Sequence, residues 1–159
     1  MSQSLSSTDH GAYAQVNGIR MYYESHGEGI PVLLLHGGLE TCGMWAPVVA
    51  ALARHCRVIT PDSRGHGRTD ASAEPVTYGL MAEDFVKFAQ VLGLDRPLVA
   101  GYSDGGRIAA VMAINHPGQA RGFMIGAIFL SMTAQWRQFM QVVLGFQGPG
   151  IVDVERVAG

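Results

Sequence analysis

The spacing of hydrophobic positions changes from one segment of the chain to the next. Runs of consecutive apolar residues suit strands that are buried on both faces of a parallel sheet. Apolar residues at three- and four-residue steps are typical of a helix with one buried face. The strand-like runs are 31–35, 56–60 and 97–102, and the helix-like runs are 44–54, 78–92 and 104–115. This alternation predicts an α/β domain with a mostly parallel sheet.

The two ends of the patterned region carry further signals. Asn17-Gly18 stands between two runs of strand formers, and this dipeptide favours the two-residue turn of a β-hairpin. The stretch 122–130 predicts one more strand. The stretch 131–144 predicts a helix with one apolar face, and the glycine-rich segment 145–150 ends it.

Composition narrows the class of protein. The 159 residues are 48% hydrophobic and 15% charged, which is typical of a globular chain. The net charge of −2 comes from scattered charges, so there is no basic stripe for nucleic acid. The apolar stretch 122–134 is too short and interrupted to span a bilayer. Two cysteines and a polar, serine-rich N-terminus without a secretory pattern favour a reducing, cytoplasmic compartment.

One motif points to chemistry. Residues 101–105 read G-Y-S-D-G and fit G-x-S-x-G, a pattern that is informative only between a strand and a helix, where it occurs here. Such a turn is strained and exposes the Ser103 hydroxyl, and Gly101 and Gly105 remove side chains that would collide with the neighbouring strand and helix. The simpler interpretation of Ser103 is a helix N-cap. The sequence context favours the nucleophile.

Three motifs in order now carry a resemblance to a known family. They are L-H-G-G at 35–38, D-S-R-G-H-G-R-T at 62–69 and G-Y-S-D-G-G at 101–106. The chain resembles the α/β-hydrolase family over about residues 13–127, and its elbow is similar to that of the ester- and lactone-cleaving branch. The resemblance implies a three-layer α/β/α fold and a serine hydrolase of carboxylic esters or related acyl substrates, without a cofactor. Epoxide- and haloalkane-opening relatives carry an aspartate at the serine position.

The resemblance also implies roles for individual residues. Ser103 would attack the acyl carbon, and the backbone N–H groups of Gly38 and Asp104 would form the oxyanion hole. A carboxylate such as that of Asp104 also simply suits the first turn of a helix. The positions expected to shape the motifs are His36, Gly37, Gly101 and Gly105.

Other polar residues are assigned structural roles. We expect His36 and His66 to hold their loops together rather than to take the serine proton. Asp62 and Asp70 are expected to staple the loop at 62–70 through hydrogen bonds to the backbone. The histidines fall at no metal-ligand spacing and there is no Cys-x-x-Cys, so no metal site is predicted.

The C-terminal part departs from the family pattern. The expected order is serine, acid, histidine, but no histidine follows His116, and the late carboxylates are Asp153 and Glu155. We therefore expect a truncated hydrolase core with weak or no activity, because a serine without a base is a poor nucleophile. The expected organisation is a disordered tail at 1–11, a partial hydrolase domain at 12–130 and a divergent helix and tail at 131–159.

The sequence is also compatible with two alternatives. The fold could serve as a non-catalytic module that binds a small ligand or a protein. The strand at 122–130 would present an open edge, through which copies of the chain could associate, and a second chain could then supply the missing histidine.

Overall fold

The computed structural model of the chain describes residues 11–127. Two 3-10 turns, Cys42–Trp45 and Pro117–Gln119, accompany six strands and three α-helices. The strands are β1 (Gly11–Val16), β2 (Ile19–His26), β3 (Pro31–Leu35), β4 (Arg57–Pro61), β5 (Leu98–Tyr102) and β6 (Gly122–Gly126). The helices are α1 (Ala46–Leu52), α2 (Tyr78–Val91) and α3 (Asp104–Asn115).

The predicted hairpin is present between β1 and β2. Asn17 and Gly18 have φ values of 42° and 80°, so both central residues are left-handed, as the tight hairpin turn with the twist of a β-ribbon requires. Val16 pairs with Ile19 directly across this turn.

The six strands form one sheet in the order β1-β2-β4-β3-β5-β6. The pairs β3–β4, β3–β5 and β5–β6 are parallel, and β2 is antiparallel to both of its neighbours. The prediction of a mostly parallel sheet after an initial hairpin is therefore confirmed. Leu35 at the end of β3 is in register with Gly101 near the end of β5, so the loops that follow both strands start side by side.

Alternate residues of the central strands face different layers. Leu33 and Leu35 are fully buried in the core cluster, together with Phe85 from α2 and Ile108 from α3. Burying one such side chain contributes about 1.5–3 kcal/mol. Residues on the opposite face, such as Leu34, lie on the side of α1. Helices thus pack on both faces, in agreement with the predicted three-layer architecture.

The face that carries α1 is only partly covered within residues 11–127. Because α1 has seven residues, an apolar groove of about 870 Å³ stays open between this helix and the sheet. Leu98, Tyr102 and Met124 project from the strands at this face and are 41%, 45% and 72% exposed.

The boundaries of α1 and β4 differ from the prediction, and β5 and α2 are each one residue shorter than expected. The helix expected at 44–54 is replaced by the 3-10 turn and the shorter α1, because Pro47 in its first turn favours a helix start there. The strand expected at 56–60 is shifted by one residue and includes Pro61, which pairs with Tyr23 of β2 as the last residue of β4.

Some predictions concern residues outside the described range. The tail expected at 1–11 overlaps β1 by one residue, because β1 begins at Gly11. Residues 1–10 lie outside the described range. β6 covers the first half of the strand expected at 122–130, and residues 128–130 and the helix expected at 131–144 lie beyond residue 127. Among residues 11–127, no helix has the length and apolar character needed to cross a membrane.

Candidate active site

The turn between β5 and α3 holds Ser103 in an unusual backbone conformation. Its φ and ψ values are 54° and −113°, a region that costs a residue with a side chain about 1–3 kcal/mol. The Ser103 N–H donates to the carbonyl of Gly126 at 3.0 Å, so the end of β6 helps to hold the turn. The side chain makes no capping hydrogen bond to α3. Ser103 therefore occupies the N-cap position of α3, but its hydroxyl does not cap the helix.

Gly101 and Gly105 permit the close approach of backbone segments on either side of Ser103. A side-chain carbon at Gly101 would overlap the carbonyl group of Gly105 at the start of α3. A carbon at Gly105 would overlap the carbonyl of Leu35 at the end of β3. Both obstacles are backbone atoms that cannot rotate away, so the turn requires glycine at both positions.

The loop after β3 lies directly against this turn. A side-chain carbon at Gly37 would be 3.4 Å from Cβ of Ser103, and one at Gly38 would overlap the carboxylate of Asp104. Asp104 is the first residue of α3, so its N–H has no helical acceptor and points out of the helix end. The structure thus brings Ser103, Gly38 and Asp104 together.

The orientation of the Gly38 N–H is set by its neighbours. The carbonyl of Gly37 accepts hydrogen bonds from Nδ1 of His36 at 2.7 Å and from the N–H of Glu40 at 3.3 Å. In a trans peptide the C=O and the next N–H point in opposite directions, so the Gly38 N–H faces away from both donors. The Gly37 N–H is also engaged, because it donates to Oε2 of Glu40 at 3.1 Å. Sequence reasoning missed Glu40.

His36 is a structural clamp between two loops. Its Nδ1 must carry the proton, because its partner is the carbonyl of Gly37, and its Nε2 accepts from the N–H of Ser63 at 2.9 Å. The ring is buried, and burial lowers the pKa of His36 below its usual value. Both ring nitrogens of His36 are thus engaged with the two loops, and neither is bonded to Ser103.

The two aspartates of the loop at 62–70 act as expected. Oδ1 of Asp62 accepts from the N–H of Cys42 at 2.7 Å, and Oδ2 accepts from the N–H of Arg68 at 2.9 Å. Asp70 accepts hydrogen bonds of 3.0–3.1 Å from the backbone N–H of Arg20 and from Nε and Nη2 on one edge of its guanidinium. These bonds join the loop to β2 and to the turn before α1.

A buried ion pair that the sequence did not reveal anchors the same loop to α2. The guanidinium of Arg64 makes two hydrogen bonds of 2.7 Å to the carboxylate of Asp84, and the two side chains are 3% and 0% exposed. The side chain of Asn17 adds a third hydrogen bond to Asp84 at 3.0 Å. The loop, the hairpin turn and α2 are thereby held together.

A second hydrogen-bond network, which the sequence did not reveal, borders the turn that holds Ser103. The Tyr78 hydroxyl donates to Oδ1 of Asp104 at 2.7 Å and accepts from Nη1 of Arg107 at 2.8 Å. Arg107 also lies 3.5 Å from the same carboxylate oxygen. Burial, followed by the Asp104 hydrogen bond, raises the pKa of Tyr78 to about 12. Only the three-residue spacing of Asp104 and Arg107 on α3 could have indicated part of this network.

The proton acceptor for Ser103 is not identified among the described residues. His66 binds the carbonyl of Arg64 at 3.0 Å, and His116 binds Glu83 at 2.6 Å, so neither is paired with Ser103. Within residues 11–127, no group of three or more His, Cys, Asp or Glu side chains is arranged to hold a metal ion.

Comparison with known proteins identifies the family to which this fold belongs. Residues 30–147 match the family model described as alpha/beta hydrolase fold. A relative named as a carbamate hydrolase, RutD, from Azorhizobium caulinodans is 34% identical over 71% of the chain. A soluble epoxide hydrolase from Corynebacterium sp. strain C12 is 36% identical over 65% of the chain. The crystal structure of the enol-lactonase from Burkholderia xenovorans LB400 superposes with a TM-score of 0.73 and 29% identity over 77% of the chain.

The chain is shorter than these proteins. It spans 43% of the carbamate hydrolase, 36% of the epoxide hydrolase and 48% of the enol-lactonase. Residues 30–147, which match the family model, contain all three motifs that carried the resemblance.

Proposed function

The chain belongs to the α/β-hydrolase fold family, and we propose that it carries the nucleophile and oxyanion hole of a serine hydrolase for carboxylic esters or related acyl substrates. One observation carries the proposal. Ser103 is held in a strained turn at the C-terminal edge of the sheet, with no capping bond, beside Gly38 and Asp104.

The proposed reaction uses these groups in two steps. Oγ of Ser103 attacks the acyl carbon, and its proton passes to a base that lies outside the contacts described above. The N–H groups of Gly38 and Asp104 stabilise the oxygen that gains negative charge, and losing one such donor costs about 3 kcal/mol. The tetrahedral intermediate expels the alcohol, which takes up a proton, and water then cleaves the acyl-serine ester to release the acid.

The residue type at the turn favours acyl transfer over epoxide opening. A serine forms an ester that water cleaves at the acyl carbon. The resemblance places an aspartate at this position in epoxide-opening relatives. The epoxide hydrolase among the similar proteins therefore supports the fold but not its substrate class for this chain.

Hydrolysis of a substrate panel tests the proposal. Because no base for Ser103 is identified among the described residues, we expect only slow release of p-nitrophenol from p-nitrophenyl acetate and butyrate. We also expect no opening of styrene oxide, and loss of the slow ester hydrolysis in Ser103→Ala. Ser63→Ala is the matched control, because Ser63 is buried and its hydroxyl has no hydrogen-bond partner among the described residues. Ester turnover that persists in Ser103→Ala, or turnover of the epoxide alone, contradicts the proposal.

A second candidate function is binding of a small apolar molecule without catalysis. The observation that favours it is the apolar groove beside α1, which is lined by neither Ser103 nor Gly38. Under this alternative, an apolar fluorescent dye binds equally well to the wild-type chain and to Ser103→Ala, and neither protein turns over an ester.

We also propose a cytoplasmic location and self-association as expectations for the whole chain. Cys42 and Cys56 are both free thiols, which is typical of a reducing compartment. β6 is the last strand of the described sheet, so its outer edge could pair with a second copy. Light scattering across a range of protein concentrations tests association, and ester turnover that rises steeply with concentration would show that a second chain contributes to the site.

A further inference from the structure

The Asp104 carboxylate lies at the proposed oxyanion hole. Its negative charge opposes the stabilisation of a second negative charge there. The backbone N–H of Asp104 is one proposed donor, but the Asp104 side chain lies against Gly38, the other donor residue. A negative charge at this point repels the negative charge that develops on the substrate oxygen, and water screens this repulsion only in part because the Asp104 side chain is 32% exposed.

The neighbouring side chains compensate for this charge. Arg107 lies 3.5 Å from Oδ1 of Asp104, and its side chain is only 13% exposed. The Tyr78 hydroxyl stands between the two ions, donating to the carboxylate and accepting from the guanidinium. Because the tyrosine stays neutral near neutral pH, the three side chains together carry no net charge.

The same contacts fix where the carboxylate sits. Oδ1 of Asp104 is the acceptor for Tyr78 and faces Arg107, so Oδ2 is the oxygen turned towards Gly38. Tyr78 comes from the first residue of α2, whereas Asp104 and Arg107 belong to α3. The network therefore ties a third element of the fold to the oxyanion hole.

We propose that Arg107 and Tyr78 are positioning residues, which neutralise and hold the Asp104 carboxylate so that the N–H groups of Gly38 and Asp104 stay receptive to negative charge. This inference rests on the proposed function, since it concerns the same oxyanion hole. It predicts that removing Arg107 is harmful mainly because Asp104 is left uncompensated.

The test measures the second-order rate at which a fluorophosphonate labels the whole chain. Arg107→Met is expected to lower this rate about tenfold or more, which corresponds to about 1.4 kcal/mol or more of barrier. Adding Asp104→Asn to Arg107→Met is expected to restore the rate to within about threefold of wild type, because both charges are then absent. Arg121→Met is the matched control, since Arg121 lies 3.8 Å from Asp95 at the opposite end of β5 and should label like wild type.

Each outcome decides the inference. Labelling of Arg107→Met at the wild-type rate overturns it and leaves the proposed function intact. Slow labelling that Asp104→Asn does not restore, in chains with wild-type circular dichroism, indicates a merely structural arginine and also overturns it. A wild-type chain that is folded but never labelled overturns both proposals. If Arg107→Met does not fold, Tyr78→Phe replaces it, with slower labelling that Asp104→Asn again restores.

Discussion

Two glycine-rich turns at the same edge of the sheet are stabilised in opposite ways. The turn at 101–106, which holds Ser103, requires residues without side chains. At Gly101 and Gly105 neighbouring backbone atoms occupy the space that a side chain would need. The loop at 62–70 depends on side chains that are present, namely Asp62, Asp70 and the buried Arg64.

Individual glycines of the two turns also differ in why they are required. Gly65 in the loop is left-handed at φ 72°, but a side chain there would meet nothing within 4 Å. Gly105 in the serine turn is not left-handed, but a side chain there would overlap backbone. The loop should therefore tolerate added atoms at Gly65, although not at Gly67, where a side-chain carbon would overlap the Asp62 carboxylate, and it should fail when a polar partner is removed. The turn that holds Ser103 should fail when a single carbon is added at Gly105.

The largest expected effect comes from breaking the ion pair of the loop. Asp84→Ala leaves the Arg64 guanidinium buried without its partner, so we expect the free energy of unfolding to fall by about 3–5 kcal/mol. Urea unfolding measures this. Replacing both residues together, as Arg64→Met with Asp84→Leu, should recover much of the loss, and a double variant no better than the single one would contradict the account.

The next effect tests the serine turn. Gly105→Ala introduces a carbon that overlaps the Leu35 carbonyl, and we expect a loss of about 3 kcal/mol in the free energy of unfolding. Gly118→Ala is the control, because a side chain there meets open space, and its expected effect is within about 0.5 kcal/mol. Equal stability of the two variants would contradict the steric explanation.

A third effect concerns the pH dependence of stability that arises from His36, which joins the loop after β3 to the loop at 62–70. Because burial lowers the pKa of His36 from 6.5, the unfolded chain binds a proton at a higher pH than the folded chain does. The stability from neutral His36 is thus complete above about pH 6.5 and is lost as the pH falls further, by at most about 1.4 kcal/mol per pH unit. Urea unfolding at pH 7.5 and 5.5 measures this loss, which should be smaller in His36→Gln.

The smallest expected effect on stability is at Gly65, which is left-handed but unobstructed, in contrast to the obstructed Gly105. Gly65→Ala adds only backbone strain from the left-handed conformation, so we expect a cost of about 1 kcal/mol, clearly less than that of Gly105→Ala. Thermal unfolding of both variants in one buffer provides the comparison. A larger cost at Gly65 would show that the loop is packed more tightly than its open surroundings indicate.

Sequence reasoning succeeded where a signal is local. The consecutive apolar residues of β3 gave its bounds, Asn17-Gly18 gave the hairpin, and the glycine pattern around Ser103 gave the turn between a strand and a helix. Each of these features is determined by sterics or burial within a few residues.

It failed where contacts join distant parts of the chain. Arg64 and Asp84, or Tyr78 and Asp104, meet only after the sheet has set the positions of α2 and α3, and no spacing rule links them in advance. The strand order, which places β4 between β2 and β3, is likewise decided by long-range pairing. Pro47 did carry a local signal for the start of α1 that the helical spacing of its neighbours obscured.

The most direct test of the central claim is the intact mass of the chain after treatment with a fluorophosphonate, with Ser103→Ala treated in parallel. The account predicts a single, slowly formed adduct on the wild-type chain and none on Ser103→Ala. The turn exposes this one serine, and the adjacent N–H groups stabilise the charge that develops on the phosphoryl oxygen. An unlabelled wild-type chain that circular dichroism shows to be folded, or an adduct that persists in Ser103→Ala, would contradict it.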